Sequence, residues 1–388
     1  MKPRWLVKVV LAVLVGALGC WLRLDAASKL PVDADEDTYI NAALHYASSI
    51  RRGEWKQIYK FDYNSQHPIL GKLSYAAALL PVSPAEKLQP KDIPFDVPVQ
   101  QTEGKLWILT ARRNATMWGG LAVGAIAWVN PLAGLLLAFH AAAIKFTSEI
   151  YLETLPMFTS LLAMMAYEQW RKREFEAERP VGSRYGLWLA ASSILLGMTA
   201  AGKYIYCMAG LAIVADFACC LMKDRRRMSR RVLNMALWIM GAWVSFFLFD
   251  PFLWIHTVPR FVDSVIFHFN YTHSDNVTGS GRPWWYTFYL LFHPSFVDAP
   301  SQRQVFYCTP DIWIAALGLL GLPFLWRKHP PYAIWLVFCL LFLLLWPTKW
   351  DQYILIAVPA LCLSAGILVE EGFIWLRRFF VDDCKYLW

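Results

Sequence analysis

The sequence predicts an all-α protein, a polytopic transmembrane helical bundle with two long outer-face loops. Three observations predict it. Of the 388 residues, 57% are hydrophobic and only 17% are charged, against about 25% charged in ordinary soluble domains. The apolar residues gather in repeated runs near the ~20 residues that cross a bilayer. When those runs are threaded through a membrane in alternation, the basic residues collect on one side. A length that would accommodate two soluble domains is used instead for crossings, and residues 1–388 read as a single transmembrane domain.

The first element is LVKVVLAVLVGALGCWL, preceded by Lys2 and Arg4 and containing Lys8. It has the layout of a signal peptide, but so many crossings follow that an uncleaved first helix over 7–23 is expected. Further spans are expected at 107–129, 131–147, 151–169, 186–201, 203–222, 232–250, 311–326, 331–347 and 352–370. Pro131 and Gly202 mark breaks suited to helices that end inside a protein bundle. With the N-terminus in the cytoplasm, four basic segments fall inside: Lys2 to Lys8, RKREFEAERPVGSR, KDRRRMSRR and Arg327-Lys328. The tail after Arg377-Arg378 falls there too, which puts both termini in the cytoplasm. Two long segments, 24–106 and 251–310, then lie on the extracytoplasmic side. Within the first, ILGKLSYAAALLPV (Ile69 to Val82) is short for a span and suits an interfacial helix. A crossing there would turn every later basic cluster outward.

The net charge of +8 comes from 37 basic against 29 acidic residues. In a membrane protein the placement of that charge matters more than its total, and no nucleic-acid partner is expected. Eight cysteines are present, with Cys207, Cys219 and Cys220 in or beside one apolar run. Their spacing is neither a zinc site nor a disulfide framework, so they read as small core residues. No GxGxxG or Walker motif occurs, which leaves an ATP- or nucleotide-sugar-driven cytoplasmic enzyme nothing to work with. Chemistry is expected on the outer face.

Four features meet there. The stretch DADEDTYINAALHYA opens with Asp33, Asp35, Glu36 and Asp37. Acidic capping of a helix would explain it, and so would catalytic carboxylates. In SEIYLETLPMF, Glu149 and Glu153 stand four apart on one helix face. Carboxylates bordering a membrane are costly unless used or paired, and Lys145 or Arg112 would serve as a plain partner. Arg112, Arg113, Lys203 and Lys349 form a basic set in the same layer. Snorkelling would account for one of them, and an anionic ligand such as a lipid phosphate would account for all four. Finally, the 251–310 segment carries His268, His273, His293, Arg282 and the run Trp284-Trp285-Tyr286. These suit a sugar or acceptor groove, although an aromatic belt equally suits the two tryptophans. The histidines match no metal pattern, so no cofactor is assigned and room is left for a divalent cation.

Carboxylates facing cations at a membrane surface suggest a transferase. A lipid phosphate leaves, held by Lys and Arg, while a carboxylate deprotonates a hydroxyl acceptor. A lipid-linked sugar flippase or other transporter is the alternative, but its charges would lie nearer mid-bilayer and its halves would repeat. A non-catalytic membrane assembly protein leaves the carboxylates unexplained.

The ordered set DEDTY, HPILGKL, ARRNATMWGGL, SEIYLETLPMF, AGKYIY and TKWDQYILIAVPALCL resembles the GT-C membrane glycosyltransferases. Within them it is most similar to the group of protein O-mannosyltransferases and lipid A aminoarabinose transferases, and the resemblance runs through nearly the whole chain. It implies a polyprenyl-phosphate sugar donor and inverting transfer of a hexose or pentose to a hydroxyl of a protein, glycan or lipid. It also implies a site on the extracytoplasmic face, of the plasma membrane in a prokaryote or the endoplasmic reticulum in a eukaryote. The family's Asp-Glu pair matches Asp35-Glu36, with Asp35 as base or acceptor-orienting group and Tyr39 at the family's tyrosine. Glu153 matches a second acid that is Asp in many relatives. The arginine usual four or five residues before it is absent, with Ser148 and Glu149 in its place. His67 to Lys72 matches an HPPLGK-like segment with its second proline lost, nearer the mannosyltransferase form. Arg112 or Arg113 matches an arginine opening the second helix, and Lys203-Tyr204 would meet the lipid phosphate. Lys349 and Tyr353 match the basic and aromatic opening of the last helix. The chain's end at Trp388 leads to the expectation of no added soluble domain and less support for a protein acceptor. Neither the sugar (mannose, arabinose, galactose or an amino sugar) nor the acceptor follows from the sequence.

Overall fold

A computed structural model describes residues 2–61, 63–175, 186–225, 227–299, 302, 305–306 and 308–382. The fold is all-α; among the described residues the only extended pairing is a bridge between Pro31 and Pro98. In chain order the helices are α1 (Lys2–Lys29), α2 (Glu36–Arg51), α3 (Trp55–Lys60), α4 (Leu70–Leu79), α5 (Lys105–Val129) and α6 (Pro131–Phe139). They continue with α7 (Ala141–Phe146), α8 (Thr154–Phe175), α9 (Gly186–Gly202), α10 (Met208–Lys223), α11 (Met228–Phe249) and α12 (Thr257–Tyr271). The rest are α13 (Asp275–Thr278), α14 (Tyr286–Phe292), α15 (Asp311–Leu320), α16 (Leu322–Lys328), α17 (Pro330–Leu345) and α18 (Val358–Asp382).

Among the described residues, Trp5–Lys29, Tyr204–Lys223, Met228–Phe249 and Val358–Arg377 are long and apolar enough to cross a membrane, and the chain is a multi-pass membrane protein. Gly186–Gly202, Asp311–Leu320 and Pro330–Leu345 are apolar but shorter. Two expected spans are broken. Residues 131–147 form α6 and α7 with an extended His140 between them. Residues 311–326 break at Gly321, where a Cβ would strike the Ser364 carbonyl oxygen of α18. The apolar composition of each run was legible, but the tertiary contact that interrupts it was not. The breaks expected around Pro131 and Gly202 are present: α9 ends at Gly202, and α5 ends at Val129 before Pro131 opens α6, which Asn130 caps by accepting from the Ala133 N–H at 3.0 Å. The 10 residues of α4 reach about 15 Å, half the hydrocarbon core, and this helix lies beside α2 and α5.

Helices α1 and α5 pack along each other. A Cβ on Gly16 would lie 3.1 Å from Gly124 Cα, the small-residue contact by which membrane helices approach. Arg23 is buried in α1, yet its guanidinium donates to Thr147 Oγ1 (2.7 Å), Gly19 O (3.0 Å) and Leu137 O (3.2 Å), so the charge is solvated by protein. By contrast α11 leaves Leu237, Met240, Val244 and Leu248 exposed, an apolar face suited to lipid.

The two long polar segments meet. Arg260 of α12 donates to Tyr59 O at 2.6 Å, Ser264 donates to Gln66 O at 2.8 Å, and His268 Nε2 lies 3.0 Å from Gln66 O. Helix α12 thereby closes over the turn that precedes α4. The α1–α2 and α7–α8 connections, the end of α9 and the residues after α17 converge beneath it.

Candidate active site

The turn after α1 is built around one buried pair. Arg112 donates from Nε to Glu36 Oε1 at 2.8 Å and from Nη2 to Oε2 at 2.5 Å. Its remaining N–H groups go to the carbonyls of Ala27 (2.8 Å), Leu30 (2.9 Å) and Pro31 (2.7 Å). Glu36 also accepts from the Ile150 N–H at 2.8 Å and the Asp33 N–H at 3.0 Å. All five guanidinium donors are used. Arg112 therefore has no donor left for a lipid phosphate and Glu36 no oxygen turned to a substrate, contrary to both expected roles. The pair fastens α1, α2, α5 and the α7–α8 loop together. Arg112→Ala is expected to destabilise the protein by about 3–5 kcal/mol, because it strands a buried carboxylate. A detergent melting curve checks this, and an unchanged midpoint would contradict it.

Asp33 is held on both oxygens, by Lys145 Nζ at 2.8 Å and by the Tyr151 hydroxyl at 2.5 Å. Burial pushes its carboxyl up, but Lys145 and Tyr151 bring it below the ordinary value. Lys145 also donates to both oxygens of Glu149 at 2.9 Å, and burial raises the Glu149 carboxyl against that pull. Glu149 is thus paired to Lys145.

Asp35 differs from every other acid in the turn. It stands at the N-terminus of α2 without a side-chain cap hydrogen bond, and among the described residues its carboxylate has no hydrogen-bond or ion-pair partner. Burial raises its pKa to about 6; Lys203 pulls it down, while Glu153, Asp33 and Asp37 push it up. Lys203 follows the end of α9 in extended conformation. Its ammonium pairs with Glu153 Oε1 and lies 5.5 Å from the centroid of the Tyr353 ring. Glu153 is buried, and its Oε2 has no partner among the described residues. It braces Lys203 from behind and does not line the cavity, where a catalytic acid was expected.

Two cavities meet at Lys203. One, of about 560 Å³, is polar and is lined by Asp33, Asp35, Asn64, Gln66, Arg282 and Asp351 among others. The second, of about 430 Å³, is apolar, with walls that include Trp238, Trp243, Phe246, Phe261, Phe342 and Trp346. His67, Lys203, His268 and Tyr353 line both. The His67 and His268 rings are 5.1 Å apart, and burial lowers the pKa of each, so both are neutral at pH 7. Tyr39 lines the polar cavity and Tyr204 the apolar one. Arg282 sits between the Tyr286 and Trp350 rings, paired with Asp351 at 3.1 Å.

The other expected residues lie elsewhere. Lys72 donates to Asn64 O (2.7 Å) and His67 O (2.9 Å), pinning the turn from behind. Lys349 donates to Leu343 O (2.7 Å) and Leu344 O (3.0 Å), capping the end of α17. Arg113 is exposed and lines neither cavity. Trp284 and Trp285 are 67% and 47% exposed, outside both cavities, as interfacial anchors would be. Among the described residues no group of three His, Cys, Asp or Glu side chains could hold a metal ion. The sequence reading offered Lys145 as a partner for Glu149 or Glu153, and it pairs with Glu149, but its second contact, to Asp33, and the whole aromatic wall were missed. A lysine inside the apolar run 131–147 was the visible sign of the first.

This fold is a GT-C-type membrane bundle. Solved structures that share it are ArnT from Cupriavidus metallidurans bound to undecaprenyl phosphate, with a TM-score of 0.53 and 16% identity over 95% of this chain, and the same protein in the apo state, with a TM-score of 0.56 and 16% identity over 94% of this chain. The chain spans 61% and 59% of the length of those two solved chains. At this identity the likeness shows the fold alone. No protein-family model matches the sequence, and a search of curated protein sequences returns no match.

Proposed function

We propose that the protein is an inverting glycosyltransferase that moves a sugar from a polyprenyl-phosphate donor to a hydroxyl acceptor on the extracytoplasmic side of the membrane. One observation carries the reading: Asp35, a carboxylate with no partner among the described residues, lines the polar cavity and faces Lys203, which stands where that cavity meets the apolar one. The apolar cavity suits a polyprenyl chain, and Lys203 at its inner end suits the phosphate. The sugar then lies in the polar cavity beside Asp35. The acceptor oxygen attacks the anomeric carbon as its proton passes to Asp35. The bond from that carbon to the phosphate oxygen breaks, and the phosphate leaves with the electron pair against Lys203. Support also comes from the shared fold of ArnT, which has been solved with undecaprenyl phosphate bound.

A base with a pKa of about 6 is ionised at pH 7 and loses activity on acidification. The value of kcat/KM, which reports the free protein, is expected to fall as the pH drops through about 6 and to be level above it; a kcat/KM that rose on acidification would contradict Asp35 as base. The reading itself is tested by the fate of labelled sugar in proteoliposomes. A transferase places label on a separate acceptor and leaves free polyprenyl phosphate, whereas flipping leaves the labelled lipid intact.

A further inference from the structure

We propose that a third cavity, at the end of the bundle opposite the active site, binds the headgroup and glycerol region of an anionic phospholipid from the surrounding bilayer. Its volume is about 520 Å³. Five helices fix its place. Lys8 lies near the start of α1, whose far end leads to Asp33, and Val129 ends α5 well beyond Arg112. Lys172 is in the last turn of α8, which begins just after Glu153. Trp188 opens α9, which ends before Lys203, and His329 precedes α17, which ends before Tyr353.

The lining has the order of materials that a phospholipid presents. Leu162, Met165 and Leu195 give an apolar floor between helices, and Trp128 and Trp188 form walls. Three cations gather there. Lys8 is exposed and has no ion-pair partner among the described residues. Lys172 lines the cavity, and the Arg173 guanidinium lies 5.6 Å from the centroid of the Trp188 ring. The carboxylate in the lining, Glu168, is already engaged, with Lys172 Nζ at 3.0 Å and His329 Nδ1 at 2.6 Å. Among the described lining residues two lysines, Lys8 and Lys172, stand against this one carboxylate, an excess of positive charge. Cations above an apolar, tryptophan-walled gap between helices match an anionic headgroup above its acyl chains. A free phosphate would satisfy the cations but leave the apolar floor wet.

The test is native mass spectrometry of the detergent-solubilised full chain with phosphatidylglycerol or phosphatidylcholine at equal concentration, beside melting curves. Phosphatidylglycerol is expected to stay bound preferentially and to raise the melting midpoint. Lys8→Gln and Lys172→Gln are each expected to lower its retention about fivefold, the factor for one basic residue at an anionic lipid surface, with phosphatidylcholine retention unchanged. Lys8 holds no ion pair among the described residues, so its replacement is expected to leave the fold intact and to separate binding from folding. Lipid held at the active site would be indifferent to both variants. Equal retention of the two lipids, or unchanged phosphatidylglycerol retention in both variants, overturns the proposal. Inorganic phosphate that reproduced the whole thermal shift would also overturn it, in favour of a free anion.

Discussion

Asp35→Asn is expected to abolish sugar transfer, by a factor of about 10²–10⁴ or more, while the protein inserts and folds as before. The two side chains are nearly isosteric, and the Asp35 carboxylate makes no hydrogen bond or ion pair among the described residues that folding would miss. The amide cannot accept the acceptor's proton, so the loss falls on turnover and not on donor binding. Removing Asp35 also removes a negative charge facing Lys203, and donor affinity is therefore expected to hold or to improve. Wild-type turnover in D35N would remove Asp35 from the chemistry. A variant that lost its melting transition would point to a structural role.

Lys203→Ala is expected to produce the second largest loss, and its reading needs a control. A charge-assisted contact to phosphate contributes about 1.5–3 kcal/mol, so KM for the donor is expected to rise roughly 10–150-fold. The same substitution strands Glu153, which is buried and pairs with Lys203, at about 3–5 kcal/mol of stability. The double variant Lys203→Ala/Glu153→Gln removes the stranded charge. It is expected to recover most of the melting midpoint while donor KM stays high. If KM recovered together with stability, Lys203 would be a structural cation and the phosphate would be held elsewhere.

The membrane fold was legible because it depends on runs of apolar residues, which the sequence carries locally. Where it was misread, at His140 and Gly321, the break arises from packing against other helices, such as Ser364 against Gly321. The site was legible in outline for the same kind of reason. Asp35, Lys203, His67, His268, Tyr353 and Arg282 are polar or aromatic groups in segments that span prediction puts at one end of the bundle, and they do meet there. What the sequence does not show is which charge pairs with which. Asp35 and Glu36 are neighbours, yet one faces a cavity while the other spends both oxygens on Arg112 and two backbone N–H groups. Four basic residues looked equivalent as phosphate partners, but three of them are bound to protein or turned outward. Lys203 alone of the four reaches both cavities. The apolar chamber was missed because its walls come from α9 to α12, α17 and their connections, each of which reads in isolation as ordinary lipid-facing or core surface.

The central claim is that a sugar is cleaved from a polyprenyl phosphate at the junction of the two cavities. Its most direct test is release of free polyprenyl phosphate from a panel of short-chain polyprenyl-phosphate sugars, with the purified protein, an extract of membrane acceptors and D35N alongside. Release from one donor by the wild type, absent in D35N, is the predicted result. Tight binding of a donor that is returned uncleaved by both proteins, with every acceptor fraction present, would contradict it.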